Sequence, residues 1–119
     1  MHIVLAEPAD LLREVLQQRL EREGYTVTSV SNGLELMDAM EAVLPQLIIT
    51  EELLPFRNGL EVIKRAKVLG IPVIIISEAD LEEKILEAFE LGASDFIDKP
   101  FSPNEMVARA KNILSKRKD

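Results

Sequence analysis

The chain has 119 residues, of which 47% are hydrophobic and 29% charged, with 21 acidic against 14 basic side chains, a net charge of −7 and no cysteine. This length allows one domain (1–119) with its own core but not two, and the composition excludes a disordered chain. The acidity argues against direct nucleic-acid binding. The lack of cysteine removes disulfides and thiolate metal sites, and no apolar run approaches the roughly 20 residues of a membrane span. Met1 and His2 lead straight into an apolar run with no signal-peptide pattern, so a cytoplasmic protein is expected.

In chain order, HIVLA (2–6) reads as a buried strand. A helix follows over 9–24, with Leu12, Val15, Leu16 and Leu20 on one face and Gly24 as its stop. YTVTSV (25–30) alternates as a strand does, and SNG (31–33) opens a helix running to Val43. QLIIT (46–50) is the third strand and carries Glu51 at its C-terminal end. Residues 60–70 form a short helix, and IPVIIIS (71–77) is the most apolar strand. The segment 79–92 is helical, with Asp80 and Glu83 at capping-box spacing and Gly92 as its stop. DFID (95–98) is the last strand. A final helix spans 102–116, with Ser102 as N-cap, Pro103 at its first position and Glu105 two further on. The closing SKRKD reads as cations suited to a helix C-terminus.

Five strands alternating with five helices, the strands too apolar for a wet face, predict a doubly wound parallel sheet covered on both sides. Ligands of such sheets gather outside the carboxyl ends of the strands. The residues following each run are therefore the candidates: Glu7-Pro8, Ser31-Asn32, Glu51-Glu52, Ser77-Glu78 and Asp98-Lys99. AEPADLL after the first strand has no glycine, which speaks against a phosphate-binding loop. One Tyr and no Trp leave little to sandwich a flavin, and the single histidine, His2, is badly placed for a hydrolase base. Phosphoryl chemistry on a carboxylate fits better, since it needs acids, a hydroxyl and a lysine at one rim.

EREGYTV, GLEVIKRAK, PVIIIS, LGASDFIDKPFSPNEMVARAKNIL and the spacing of Pro55 and Gly59 after Glu51 carry a specific resemblance. Over essentially its whole length the chain resembles the receiver domains of bacterial two-component response regulators, and DKPFSPNEMVARAK is especially similar to the OmpR/PhoB-type subgroup. The resemblance implies a flavodoxin-like (βα)5 α/β fold with strand order 2-1-3-4-5. It makes Glu51 the phosphoacceptor equivalent, where the family has aspartate, and Ser77, Phe96 and Lys99 the switch and phosphate-sensing equivalents. It also makes Pro100 a cis proline. Of the two adjacent acids that bind Mg²⁺ in the family, only Glu7 remains, because Pro8 takes the second place.

Proline offers no side-chain oxygen, and glutamate sets its carboxylate roughly 1 Å or more beyond where aspartate would, a misplacement that can cost about a hundredfold in rate. No catalytic residue and no cofactor are therefore expected, with Mg²⁺ weak or absent and Glu7 and Glu51 its ligands if any. The chain would then be an atypical receiver, not an enzyme, that signals by protein contact. The alternative is a residual receiver that accepts a phosphoryl group on Glu51 and removes it slowly. A Glu51–Lys99 pair could mimic the phosphorylated state in part or simply neutralise the lysine. Glu78 reads as a solvated acid starting the fourth helix, and Glu52 as pointing away from Glu51. The resemblance further implies a homodimer through the fourth helix, fifth strand and fifth helix, where Lys84, Glu87, Glu90, Asp95, Asp98, Arg109 and Lys111 are candidates. Other partners would be a protein or an output domain, with no membrane and no nucleic acid. Both a free-standing regulator and a receiver cut from a longer protein fit the sequence.

Overall fold

The computed structural model describes residues 1–57, 59–78 and 82–116. Asp80, the last three residues of SKRKD and the Lys84 side chain lie outside what is described. The strands are β1 (His2–Ala6), β2 (Thr26–Val30), β3 (Leu47–Glu51), β4 (Val73–Ser77) and β5 (Asp95–Asp98). The helices are α1 (Asp10–Arg22), α2 (Gly33–Val43), α3 (Gly59–Leu69), α4 (Glu82–Leu91) and α5 (Pro103–Ser115). All strand pairings are parallel, in the order β2-β1-β3-β4-β5. The fold is thus the five-stranded, doubly wound, flavodoxin-like one.

Strand side chains alternate between faces, and here each face builds its own core. Ile3 and Leu5 of β1, Leu47 and Ile49 of β3, Ile74 and Ile76 of β4, and Ile97 of β5 pack with Leu16 and Leu20 of α1 and with Met106, Val107, Ala110 and Leu114 of α5. The intervening Val4, Ala6, Ile48, Val73, Ile75 and Phe96 pack on the other face with residues of α2, α3 and α4. Complete burial of a large aliphatic side chain stabilises the fold by about 1.5–3 kcal/mol. The alternating pattern therefore fixes the register strongly, since a one-residue slip would exchange the faces.

Capping follows the local chemistry. The Asn32 side chain accepts from Glu35 N–H (2.9 Å), and the Glu35 carboxylate accepts in return from Ser31 N–H and Oγ. Ser102 Oγ accepts from Glu105 N–H (3.1 Å), but the Glu105 carboxylate turns outward to Arg109 rather than closing a capping box. One expectation needs correcting. Val15 is 43% exposed, because the buried stripe of α1 runs through Leu16 and Leu20. The fourth helix is described over Glu82–Leu91, and its expected start at residues 79–80 lies outside the described residues.

Two glycines hold the loop after β3 in place. A Cβ on Gly59 would lie 3.0 Å from Glu51 carbonyl oxygen and 3.1 Å from Glu52 Cα, while Gly59 N–H donates to Glu52 carbonyl at 2.7 Å. At Gly33 a Cβ would collide with the backbone of Arg57, whose loop is tied to α2 by Gly33 N–H donating to Pro55 carbonyl (2.9 Å). Both glycines are needed for close backbone approach, and that approach sets where the chain leaves Glu51.

Candidate functional site at the carboxyl rim

The order of strands reverses at β1, which lies between β2 and β3, so the chain leaves neighbouring strands in opposite directions and opens a crevice at their carboxyl ends. Register brings Ala6 beside Thr50, Glu51 beside Ile76 and Ser77 beside Asp98. Glu7 continues the parity of Ile3 and Leu5, Glu51 that of Leu47 and Ile49, and Lys99 that of Ile97. All three therefore belong to the α1/α5 face of the sheet. Ser77 and Phe96 follow the opposite parity, with Val73 and Ile75.

The three α1/α5-face groups converge. Lys99 Nζ stands 3.0 Å from Glu7 Oε1 and 2.9 Å from Glu51 Oε2, a single ammonium bridging two carboxylates. Glu7 is fully buried and Glu51 is 6% exposed, whereas the Lys99 side chain retains 19% exposure and links the cluster to the surface. Glu7 is held further by Ala9 N–H, which donates to its Oε2 at 3.0 Å. Arg13 donates to Glu7 carbonyl (2.8 Å) and to Asp10 Oδ1 (2.7 Å), pinning the start of α1 to the rim. Arg13 was not singled out in the sequence. Its three-residue spacing from Asp10 is the one signal that could have drawn attention to it.

Burial pushes the Glu51 carboxyl up to about 7; the Lys99 ammonium pulls it down, and the Glu7 carboxylate adds to the rise. Burial works to lower the Lys99 ammonium, but its bonds to Glu51 and Glu7 outweigh this and leave it above its ordinary value. Two carboxylates and one ammonium bear a net charge of −1 when all are ionised, and Glu51 is where a proton is readily gained.

Magnesium demands near-octahedral oxygen ligation at about 2.0–2.1 Å. Pro8 supplies no oxygen, and both rim carboxylates are turned onto an ammonium that already provides the local positive charge. Among the described residues no group of three or more acidic or histidine side chains is arranged to hold a metal ion. This donor set does not fit Mg²⁺.

Ser77 is buried at the end of β4, and its carbonyl accepts from Lys99 N–H at 2.9 Å. Phe96 is 8% exposed, packed in the core that also holds Ala88 of α4. The Lys99–Pro100 peptide is cis. Glu78 is exposed, whereas Glu52 is buried, a burial that its charged identity did not suggest. Asp95 and Arg109 pair within the domain at 2.8 Å, and Glu87, Glu90 and Asp98 are exposed. Lys111 reaches Glu23, just past α1, at 2.7 Å, which directs its ammonium toward α1 and away from α4.

A doubly wound parallel sheet with two carboxylates and a lysine gathered at its carboxyl rim defines a flavodoxin-like α/β domain with an ionic rim site. The family model for the response regulator receiver domain matches residues 3–111, and the chain belongs to that family. It is 38% identical over 114 residues to the alkaline phosphatase synthesis transcriptional regulatory protein PhoP of Bacillus subtilis, a match covering 94% of this chain and 48% of that protein. It resembles the receiver domain of the Francisella response regulator 1452, with a TM-score of 0.91, 24% identity and 98% of both chains covered, which speaks to the fold alone. DrrB of Thermotoga maritima, an OmpR/PhoB homolog, aligns with a TM-score of 0.87 at 25% identity, covering 99% of this chain and 54% of that one. The chain spans about half the length of the curated relatives it matches. No helix among the described residues is long and apolar enough to cross a membrane.

Proposed function

We propose that this receiver domain is an atypical one, acting in the cytoplasm through protein contact without efficient phosphorylation or Mg²⁺ binding. The observation that carries this reading is the Lys99 ammonium bound to both Glu7 and Glu51. A carboxylate must be free and charged to attack phosphorus, and Glu51 is not free and only partly charged near neutrality. It is paired, and burial raises its carboxyl to about 7, so near neutrality a large fraction is protonated. With Pro8 in place of an acid, the rim has one fewer oxygen donor for a divalent cation that would gather donor and acceptor oxygens. Intact mass after incubation with acetyl phosphate and Mg²⁺ is expected to stay unchanged, and a stable phosphoryl adduct would overturn the proposal. The double substitution Pro8→Asp with Glu51→Asp is expected to introduce saturable, Mg²⁺-dependent amide shifts at the rim. A double variant indifferent to Mg²⁺ would show that those two residues are not the cause of the loss.

The partner surface of this proposal is the α4-β5-α5 face. Leu86 (55% exposed) and Phe89 (45% exposed) stand on α4, with Glu87 and Glu90 beside them. A self-complementary contact between two copies would bury these apolar groups and place the Asp95–Arg109 pairs at its edge. Sedimentation is expected to show a dimer that Phe89→Glu converts to monomer; a wild-type chain that stays monomeric at high concentration argues against this surface as a self-contact.

A further inference from the structure

Beside the rim lies a cavity of about 510 Å³ bounded by Leu12 of α1, Glu78, Lys99, Pro100 and Phe101. Its size falls in the range that holds small organic ligands. Among the described residues, three of the five that bound it are apolar, which suits a ligand with a hydrocarbon or aromatic body. Its two charged walls are unequal. The Lys99 ammonium is already shared between two carboxylates, so the Glu7–Lys99–Glu51 cluster presents no net positive charge to the cavity. Glu78 is exposed, and no ion pair is recorded for it among the described residues. The Asp10–Arg13 pair at the start of α1 is neutral in sum. The balance of charge around the mouth is negative, as it is for the whole chain. A concave site with one dominant sign concentrates counter-ions, and the Phe101 ring adds the attraction of an aromatic face for cations.

We propose that this cavity is a binding site for a small organic cation, an amine or amidine on an apolar body, with Glu78 as its counter-ion and Leu12, Pro100 and Phe101 as its apolar walls. The proposal concerns the cavity alone and holds whether or not the rim accepts a phosphoryl group. It reverses the charge preference expected of a rim that receives phosphodonor anions, and the reversal follows from the neutralisation of Lys99 by two carboxylates.

Amide NMR titration of the full 119-residue chain with benzamidinium, benzyl alcohol and benzoate tests it, since the three probes share a ring and differ in charge. Benzamidinium is expected to give saturable shifts at Leu12, Glu78 and Phe101, with benzyl alcohol weaker and benzoate weakest. Glu78→Gln is expected to weaken benzamidinium about two- to fivefold, the scale of one exposed ion pair. Glu78→Lys is expected to abolish its binding and to admit benzoate. Because Glu78 is an exposed side chain, neither substitution threatens folding. Benzoate binding the wild type as tightly as benzamidinium would overturn the proposal, and so would the absence of saturable shifts at those three residues. Equal benzamidinium affinity in wild type and Glu78→Lys would overturn it as well.

Discussion

Lys99→Met is expected to lower the unfolding free energy by about 3–5 kcal/mol at pH 8, because it strips the bridging cation from two buried carboxylates. Methionine keeps the length and apolar stem of lysine, so packing changes little and the loss reports on charge. Glu7 has no exposed surface and Glu51 has 6%, so water cannot replace the ammonium without opening the rim. The variant can relieve part of this cost by taking up a proton. Its deficit should therefore shrink to less than half at pH 5, where one carboxyl can be neutral in the fold. Urea unfolding of both proteins at the two pH values measures this. A loss below about 1 kcal/mol at pH 8, the scale of a solvated surface pair, would mean that the cluster is hydrated and weak.

The second large effect is the pH dependence that Glu51 confers. Its carboxyl is pushed up to about 7 in the fold, against an ordinary value of 4.5. Between those values the folded domain holds a proton that the unfolded chain has released. The stabilisation is thus complete below the unfolded value and is lost as pH rises through the folded one. A difference of that size corresponds to about 3 kcal/mol, since each pKa unit is worth about 1.4 kcal/mol. Glu51→Gln keeps the shape and removes the proton site, so the wild type should lose about that much relative to the variant between pH 4.5 and 8. Glu23, held low by Lys111, and Glu41, held low by Arg65, act in the opposite sense, losing stability as pH falls. Both are unchanged in the variant, so the difference between the two curves isolates Glu51. Parallel curves would show that Glu51 titrates near its ordinary value and that the rim is wetter than its burial indicates.

Both effects derive from one physical situation. Two buried acids need positive charge beside them, and a tethered ammonium supplies it here. A tethered cation cannot dissociate, brings one charge rather than two, and uses its donors on the protein's own oxygens. Burial is the main reason the Glu51 carboxyl rises despite its salt bridge, and the neighbouring Glu7 carboxylate adds to the rise. The same accounting leaves the neighbouring cavity without positive charge to offer an anion.

The fold was legible because its signals are local. Apolar runs of five residues followed by helical periodicity and glycine stops specify five βα units, and the resemblance extends through most of them. The misreading of Val15 was equally local in origin. Val15 is apolar and occurs at helical spacing, but only the placement of α1 over β1 and β3 decides which apolar residues of the helix are covered.

By itself, the sequence determined that Glu7, Glu51 and Lys99 stand at strand ends and that Pro8 removes an acid. It could not determine that they meet. Glu7 and Glu51 are 44 positions apart and Lys99 a further 48, so their contact depends on β1, β3 and β5 taking their places in one sheet. Nor could it show that one ammonium would be divided between two carboxylates, when the sequence suggested a Glu51–Lys99 pair alone. Distance and burial set the strength of a charge interaction, and both are properties of the packed sheet rather than of any segment of the chain.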